Sequence, residues 1–167
     1  MKLHNPTAEI FIPDGKPLDE ALRRISHVGI GAHQDDLEFM AFHGILTCFH
    51  KPKLSFGGVT CTNGSGSART GPYANFTDEQ MMTVRRKEQN AAAVGGRYGA
   101  MIQLDHASKV VKNPADPSAD GLRDDLVQIL SQMTPQIVRL PPPRLWQHRV
   151  RFRHRSAGRR PRQPQHQ

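Results

Sequence analysis

The sequence predicts an α/β fold built on a mostly parallel sheet. Three observations carry this. Short apolar runs at residues 25–33, 54–62 and 98–105 alternate with longer stretches of helical period. That alternation is the pattern of parallel strands joined by right-handed helical crossovers. The first run is short and β-branched, as a buried strand requires. A chain of 167 residues is also long enough for one domain with a real core.

The elements follow in chain order. Residues 1–18 read as a surface arm, because Pro6, Pro13 and Pro17 interrupt regular structure. "LDEALRR", residues 18–24, reads as a short helix. "ISHVGIGAH", residues 25–33, is the first strand, and "DLEFMAFHGILTCFH", residues 36–50, is a helix with Leu37, Met40, Ala41, Gly44 and Ile45 on one face. "LSFGGVTCT" is the second strand. The Gly/Ser/Asn loop after it, "NGSGSARTGPYANF", has a length more typical of functional loops than of idle ones. "TDEQMMTVRRKEQNAAAVGG", residues 77–96, is the clearest helix. Thr77 and Gln80 form a capping-box pair, and Gly95 and Gly96 end it. "YGAMIQLD" is the third strand, and "LRDDLVQILSQM" an amphipathic helix after a turn-rich connection. "PQIV" opens a fourth strand that runs into a triple proline, which cannot continue a central ladder.

The charge is uneven. Residues 1–138 carry 14 Lys+Arg and 15 Asp+Glu, whereas residues 139–167 carry nine Arg and no acid. The net charge of +8 is therefore a property of the tail, and a basic tail would suit an anionic partner. Three parts result: an arm and short helix (1–24), an α/β domain (25–138), and an Arg/Pro-rich tail (139–167) expected to be disordered or out of frame. Cys48 and Cys61 read as two buried thiols in a reducing compartment. No run approaches the roughly 20 apolar residues that span a bilayer, so the expectation is a cytoplasmic protein without a membrane partner.

"GIGAHQDDLEFM" carries the chemistry. In an open α/β sheet, ligands sit at the carboxyl ends of the strands, and His33 to Asp36 fall at the end of the first. An imidazole and a carboxylate are common zinc ligands. Of two adjacent carboxylates, one can bind a metal while the other takes a proton from an activated water. The competing reading is that Asp35 and Asp36 favour the positive end of the following helix. Spacing alone leaves both open. On the helix at 77–96, Arg85, Arg86 and Glu88 read either as substrate contacts or as surface charge paired at i,i+3. His106 reads as exposed.

"AHQDDLEF" resembles the A-H-P-D-D-x-E signature of the PIG-L/LmbE-like zinc deacetylases. "GVTCTNGSGSARTGPYA" is similar to that family's Gly-rich loop, and "VRRKEQNAAAVGGRYGA" to its R-x-x-E helix. The resemblance covers roughly residues 25 to 138. It implies a Rossmann-like three-layer sandwich, incomplete at the C-terminus, and zinc-dependent removal of an N-acetyl group from an N-acetylglucosamine-type sugar conjugate; another divalent metal would also suit the donors. Carried over by position, His33 and Asp36 would bind zinc, Asp35 would be the general base, and Glu38 would support them from the helix start. Beside that carry-over, Arg69 in the loop and Arg85 or Arg86 on the helix are candidates to contact substrate, and Asp105, at the end of the third strand, is placed to face the same crevice. Gln34 stands where the family has proline, which should loosen the turn.

The family takes its third ligand from a histidine segment after the fourth strand. Neither His148, His154 nor His166 stands in such a segment. Enrichment in Arg, Pro, His and Gln is what a GC-rich gene yields out of frame, and the hypothesis is that residues from about 139 are a frameshift product. The nucleotide sequence around codon 138 tests it: downstream bases that encode no deacetylase-like segment in another frame count against it. Two other readings are a non-catalytic remnant of such an enzyme and a protein that binds nucleic acid through the tail. An open strand face would also favour aggregation, and the missing third ligand would leave zinc affinity weak.

Overall fold

The structure is a computed structural model that describes residues 1–141. The elements run β1 (Glu9–Phe11), α1 (Leu18–Arg23), β2 (His27–Gly31), α2 (Asp36–Met40), α3 (Phe42–Cys48), β3 (Phe56–Thr62), α4 (Asp78–Gly95), β4 (Ala100–His106), α5 (Ser108–Lys112), α6 (Ala119–Met133) and β5 (Ile137–Arg139). They form one five-stranded sheet in the order β1-β4-β3-β2-β5. The pairs β4–β3, β3–β2 and β2–β5 are parallel, and β1 is an antiparallel edge. The order of the four parallel strands is that of a doubly wound sheet, with its switch point between β2 and β5.

Two apolar layers enclose the sheet. On one face Leu22, Val110, Leu122, Ile129 and Met133 pack on Val28, Ile30, Val59, Ile102 and Leu104. On the other, Leu37, Ala41, Ile45 and Ala93 pack on Phe56, Tyr98 and Met101. Every residue of β2, β3 and β4 is buried, which explains why these strands read as continuous apolar runs. Glycines make the second face smooth. A Cβ on Gly29 would stand 2.9 Å from the Phe56 ring and 3.0 Å from Ala41, and one on Gly31 would stand 2.8 Å from the Asp36 Cβ. Only glycine lets α2 lie this close to β2.

Three elements differ from the sequence reading. The stretch 36–50 is two helices, broken at Ala41 (φ −112°, ψ 9°). The break lets α2 lie over Gly29 and Gly31 while Gly44 of α3 rides on the Phe56 ring. The N-terminal arm contributes β1, whose Glu9–Phe11 pair with Gln103–Met101. Its prolines flank the strand without interrupting it. Helix α5, which the sequence reading did not include, precedes the turn-rich connection and puts Val110 into the core. The capping box on α4 is as the sequence predicts: Thr77 Oγ1 accepts from Gln80 N at 3.3 Å and Gln80 Oε1 accepts from Thr77 N at 2.8 Å. β5 is short and exposed, with Ile137 and Val138 open to solvent.

Candidate functional site

The motif residues lie at the C-terminal end of β2, beside the switch point. Asp35 takes the left-handed conformation (φ 73°) as it opens α2. A non-glycine residue there is uncommon and is a pointer to a functional turn. The turn brings Asp36 Oδ2 back to within 2.8 Å of the His33 N–H and 3.7 Å of His33 Nδ1. Burial pushes the Asp36 carboxyl up, but the hydrogen bonds and charge of His33 outweigh it and hold the carboxyl below its usual range.

Asp35 points to a different partner. Its Oδ2 accepts from Arg85 Nη2 at 2.5 Å, and its N–H donates to Gln89 Oε1 at 3.0 Å. Arg85 also donates to the Gln34 carbonyl at 3.1 Å and pairs with Glu88. Burial opposes the Arg85 charge, yet Asp35 and Glu88 together raise its pKa. Arg85 is thus neither a plain surface charge nor a free substrate contact. It is an ion-pair centre that holds Asp35.

Glu38 Oε1 accepts from Tyr98 Oη at 2.7 Å and from Gln89 Nε2 at 3.0 Å. Gln89 and Tyr98 are partners of the motif that the sequence reading missed. Gln89 is polar on the buried side of α4, and that pattern was the available signal. Gln34 is a correction. Its side chain is buried and its Nε2 donates to the Thr62 carbonyl at 2.8 Å, so it braces the turn against β3 rather than loosening it.

The remaining candidates share no hydrogen bond or ion pair with His33 or Asp36 among the described residues. Arg69 donates to the Phe76 carbonyl at 2.8 Å and the Ser65 carbonyl at 3.1 Å and pairs with Asp78, so its guanidinium braces the Gly/Ser loop. Asp105 is buried, with its carboxylate on Arg86 at 2.8 Å and on the Thr7 hydroxyl. The structure joins it to the N-terminal arm and Arg86. His106, read as exposed, is buried at the end of β4, because the arm and α5 cover that strand end; burial lowers its pKa. Both cysteines are buried and free, and burial pushes the Cys61 thiol up to about 12. His148, His154, His166 and the basic tail lie outside the described residues.

The spacing of these donors bears on the metal that the resemblance implies. Nitrogen and oxygen ligands about 2.0–2.1 Å from a tetrahedral zinc stand roughly 3.4 Å apart. His33 Nδ1 and Asp36 Oδ2, at 3.7 Å and both solvent-accessible, fit two such positions. Among the described residues, no cluster of three His, Cys, Asp or Glu surrounds one point.

A doubly wound sheet with an acid-rich turn at its switch point defines a class of α/β proteins that bind ligands across the strand ends. A family model described as PIG-L, GlcNAc-PI de-N-acetylase, matches residues 28–157, and the chain belongs to that family. The match extends beyond residue 139, into the segment read as a separate tail. The fold is similar to that of N,N'-diacetylchitobiose deacetylase from Pyrococcus horikoshii, solved with an inhibitor: TM-score 0.54, 19% identity, 75% of this chain and 44% of that chain covered. This chain therefore spans less than half the length of that structure. No curated protein matches the chain. Among the described residues, no helix is long and apolar enough to cross a membrane.

Proposed function

We propose that the chain acts as a metal-dependent amide hydrolase that removes an acetyl group from an N-acetylglucosamine-type sugar conjugate. The observation that carries the reading is the approach of His33 Nδ1 and Asp36 Oδ2 at the end of β2, in a chain of a de-N-acetylase family. These two side chains would hold zinc or another divalent ion. When bound, the ion supplies a Lewis acid for the amide carbonyl and lowers the pKa of water toward about 7.

The chain's own residues do the rest. Asp35 is the general base. Arg85 occupies its Oδ2, while Oδ1 has no hydrogen-bond partner among the described residues and is the atom that receives the hydrolytic proton. The same proton passes to the leaving amine, as proton return requires. Glu38, held by Tyr98 and Gln89, ties the start of α2 to α4 and to the segment that leads into β4. Arg69 shapes the loop that borders the sugar, Arg85 lies next to it through Asp35, and Asp105 acts through Arg86.

The test pairs metal analysis with amine release from N,N'-diacetylchitobiose by the full chain loaded with zinc. Asp35→Asn should reduce turnover by about 10²–10⁴-fold and retain zinc. His33→Ala should lose both. Turnover unchanged in Asp35→Asn removes it as the base. A wild-type chain that binds zinc without releasing amine is the result expected of a non-catalytic relative.

A further inference from the structure

A cavity of about 900 Å³ opens at the end of the sheet opposite Asp35 and Asp36, where the parallel strands begin. Its walls come from the residues that precede each strand, among them Ser26, Ser55, Tyr98 and Gln136. Its rim is strongly cationic: Arg23, Arg24, Lys51, Lys53 and Arg97 face one acid, Asp14. Asp14 is already taken by Arg24 Nη1 at 2.6 Å. Among the described residues, the other four cations have no carboxylate within 4.0 Å.

Two further observations set this rim apart from an ordinary basic surface. His50 and Arg97 both take left-handed backbone conformations (φ 55° and 54°), and Arg97 Nη1 stands 3.3 Å from His50 Nδ1. Left-handed non-glycine residues carry a conformational cost and collect at ligand sites. Arg24 Nε is buried and has no hydrogen-bond partner among the described residues. Gly99 makes room for it: a Cβ there would stand 3.3 Å from Arg24 Nε and 2.3 Å from Ser55 Oγ. A buried guanidinium N–H without a partner is costly, so Arg24 is held in this wall against an energetic penalty.

We propose that this cavity binds a small molecule carrying two or more phosphate groups, at a site separate from the His33–Asp36 centre. Its volume lies within the roughly 300–1,000 Å³ of ordinary ligand pockets and far exceeds a single phosphate. Several uncompensated Lys and Arg around one space match several phosphate charges.

The probe is inorganic tripolyphosphate, titrated into the full chain and followed by ¹H–¹⁵N NMR. Amide shifts should concentrate at residues 23–26, 50–55 and 97–99. Lys51→Gln/Lys53→Gln, which changes exposed side chains only, should weaken binding at least about tenfold. Lys109→Gln/Lys112→Gln, on α5, should leave it unchanged. Shifts confined to residues 142–167 would assign the binding to the arginine tail and overturn the proposal. So would equal affinity in wild type and the Lys51/Lys53 variant, or no shifts at all.

Discussion

Gln89→Met measures how much the turn depends on α4. Gln89 is fully buried, and its side chain reaches two points of the motif. Its Oε1 accepts the Asp35 N–H at 3.0 Å, and its Nε2 donates to Glu38 Oε1 at 3.0 Å. A bond to a charged acceptor contributes about 1.5–3 kcal/mol and a neutral one about 0.5–1.5. Methionine is close in shape and needs no partner, which offsets roughly 1 kcal/mol. The net loss is then about 2 kcal/mol, or a fall in Tm of about 4–8 °C for a domain of this size. Urea unfolding should show a lower midpoint with an unchanged slope, which marks lost stability rather than a changed denatured state. Tyr98→Phe removes the other donor to the same oxygen. The double variant should therefore be non-additive by about 0.5–1 kcal/mol. If Gln89→Met lies within about 0.5 kcal/mol of wild type, or the two changes add, the reasoning that these bonds form one network is wrong.

Further outcomes follow from other contacts. Gly64 has φ 76°, and a Cβ there would stand 2.8 Å from Arg85 and from Gln34 Oε1, so Gly64→Ala should destabilise by at least the 1–2 kcal/mol of a left-handed residue, roughly, in thermal unfolding. Thr77→Ala removes the cap of α4 and should cost about 1 kcal/mol in the same assay. His4 donates to buried Asp125 at 2.8 Å, and that bond, with the Asp125 charge, raises its pKa above 6.5. Its contribution is therefore complete below pH 6.5 and is lost as pH rises through the folded-state value. Nearby His106 has the opposite sign, since its lowered pKa makes its contribution fall away on acidification. Proteolysis of the N-terminal arm at pH 5.5 and 8.5, in wild type and His4→Gln, separates them. Wild type should be more protected at the lower pH, and the variant should lose that difference.

The fold was legible because its signals are local. Continuous apolar runs at β2, β3 and β4 report double coverage, and Thr77 with Gln80 reports a helix start within four residues. The edge strand β1 was not legible, because its pairing depends on β4, far along the chain. The site divides in the same way. His33 and Asp36 are three residues apart, and a single turn decides their approach. Asp35 with Arg85, and Glu38 with Gln89 and Tyr98, are contacts across about fifty residues or more, which no spacing reports. Asp105 shows the cost: it lies at a strand end, as a site residue should, yet its partners are Arg86 and Thr7.

These long-range partners also explain how two adjacent carboxylates come to differ. Spacing alone does not distinguish Asp35 from Asp36. The left-handed backbone at Asp35 sends the two side chains to different neighbours, Asp36 toward His33 and Asp35 toward Arg85. A metal bound at His33 would draw on Asp36, while the Arg85 guanidinium holds Asp35 through one oxygen. Helix α4 supplies both Arg85 and Gln89, and it approaches closely because Gly64 leaves space beside Arg85. The different settings of the two carboxylates therefore depend on α4 as much as on the motif. Arg85→Met tests this: Asp35 should lose its fixed orientation, and turnover should fall more than zinc affinity. An equal fall in both would mean that Arg85 merely supports the turn.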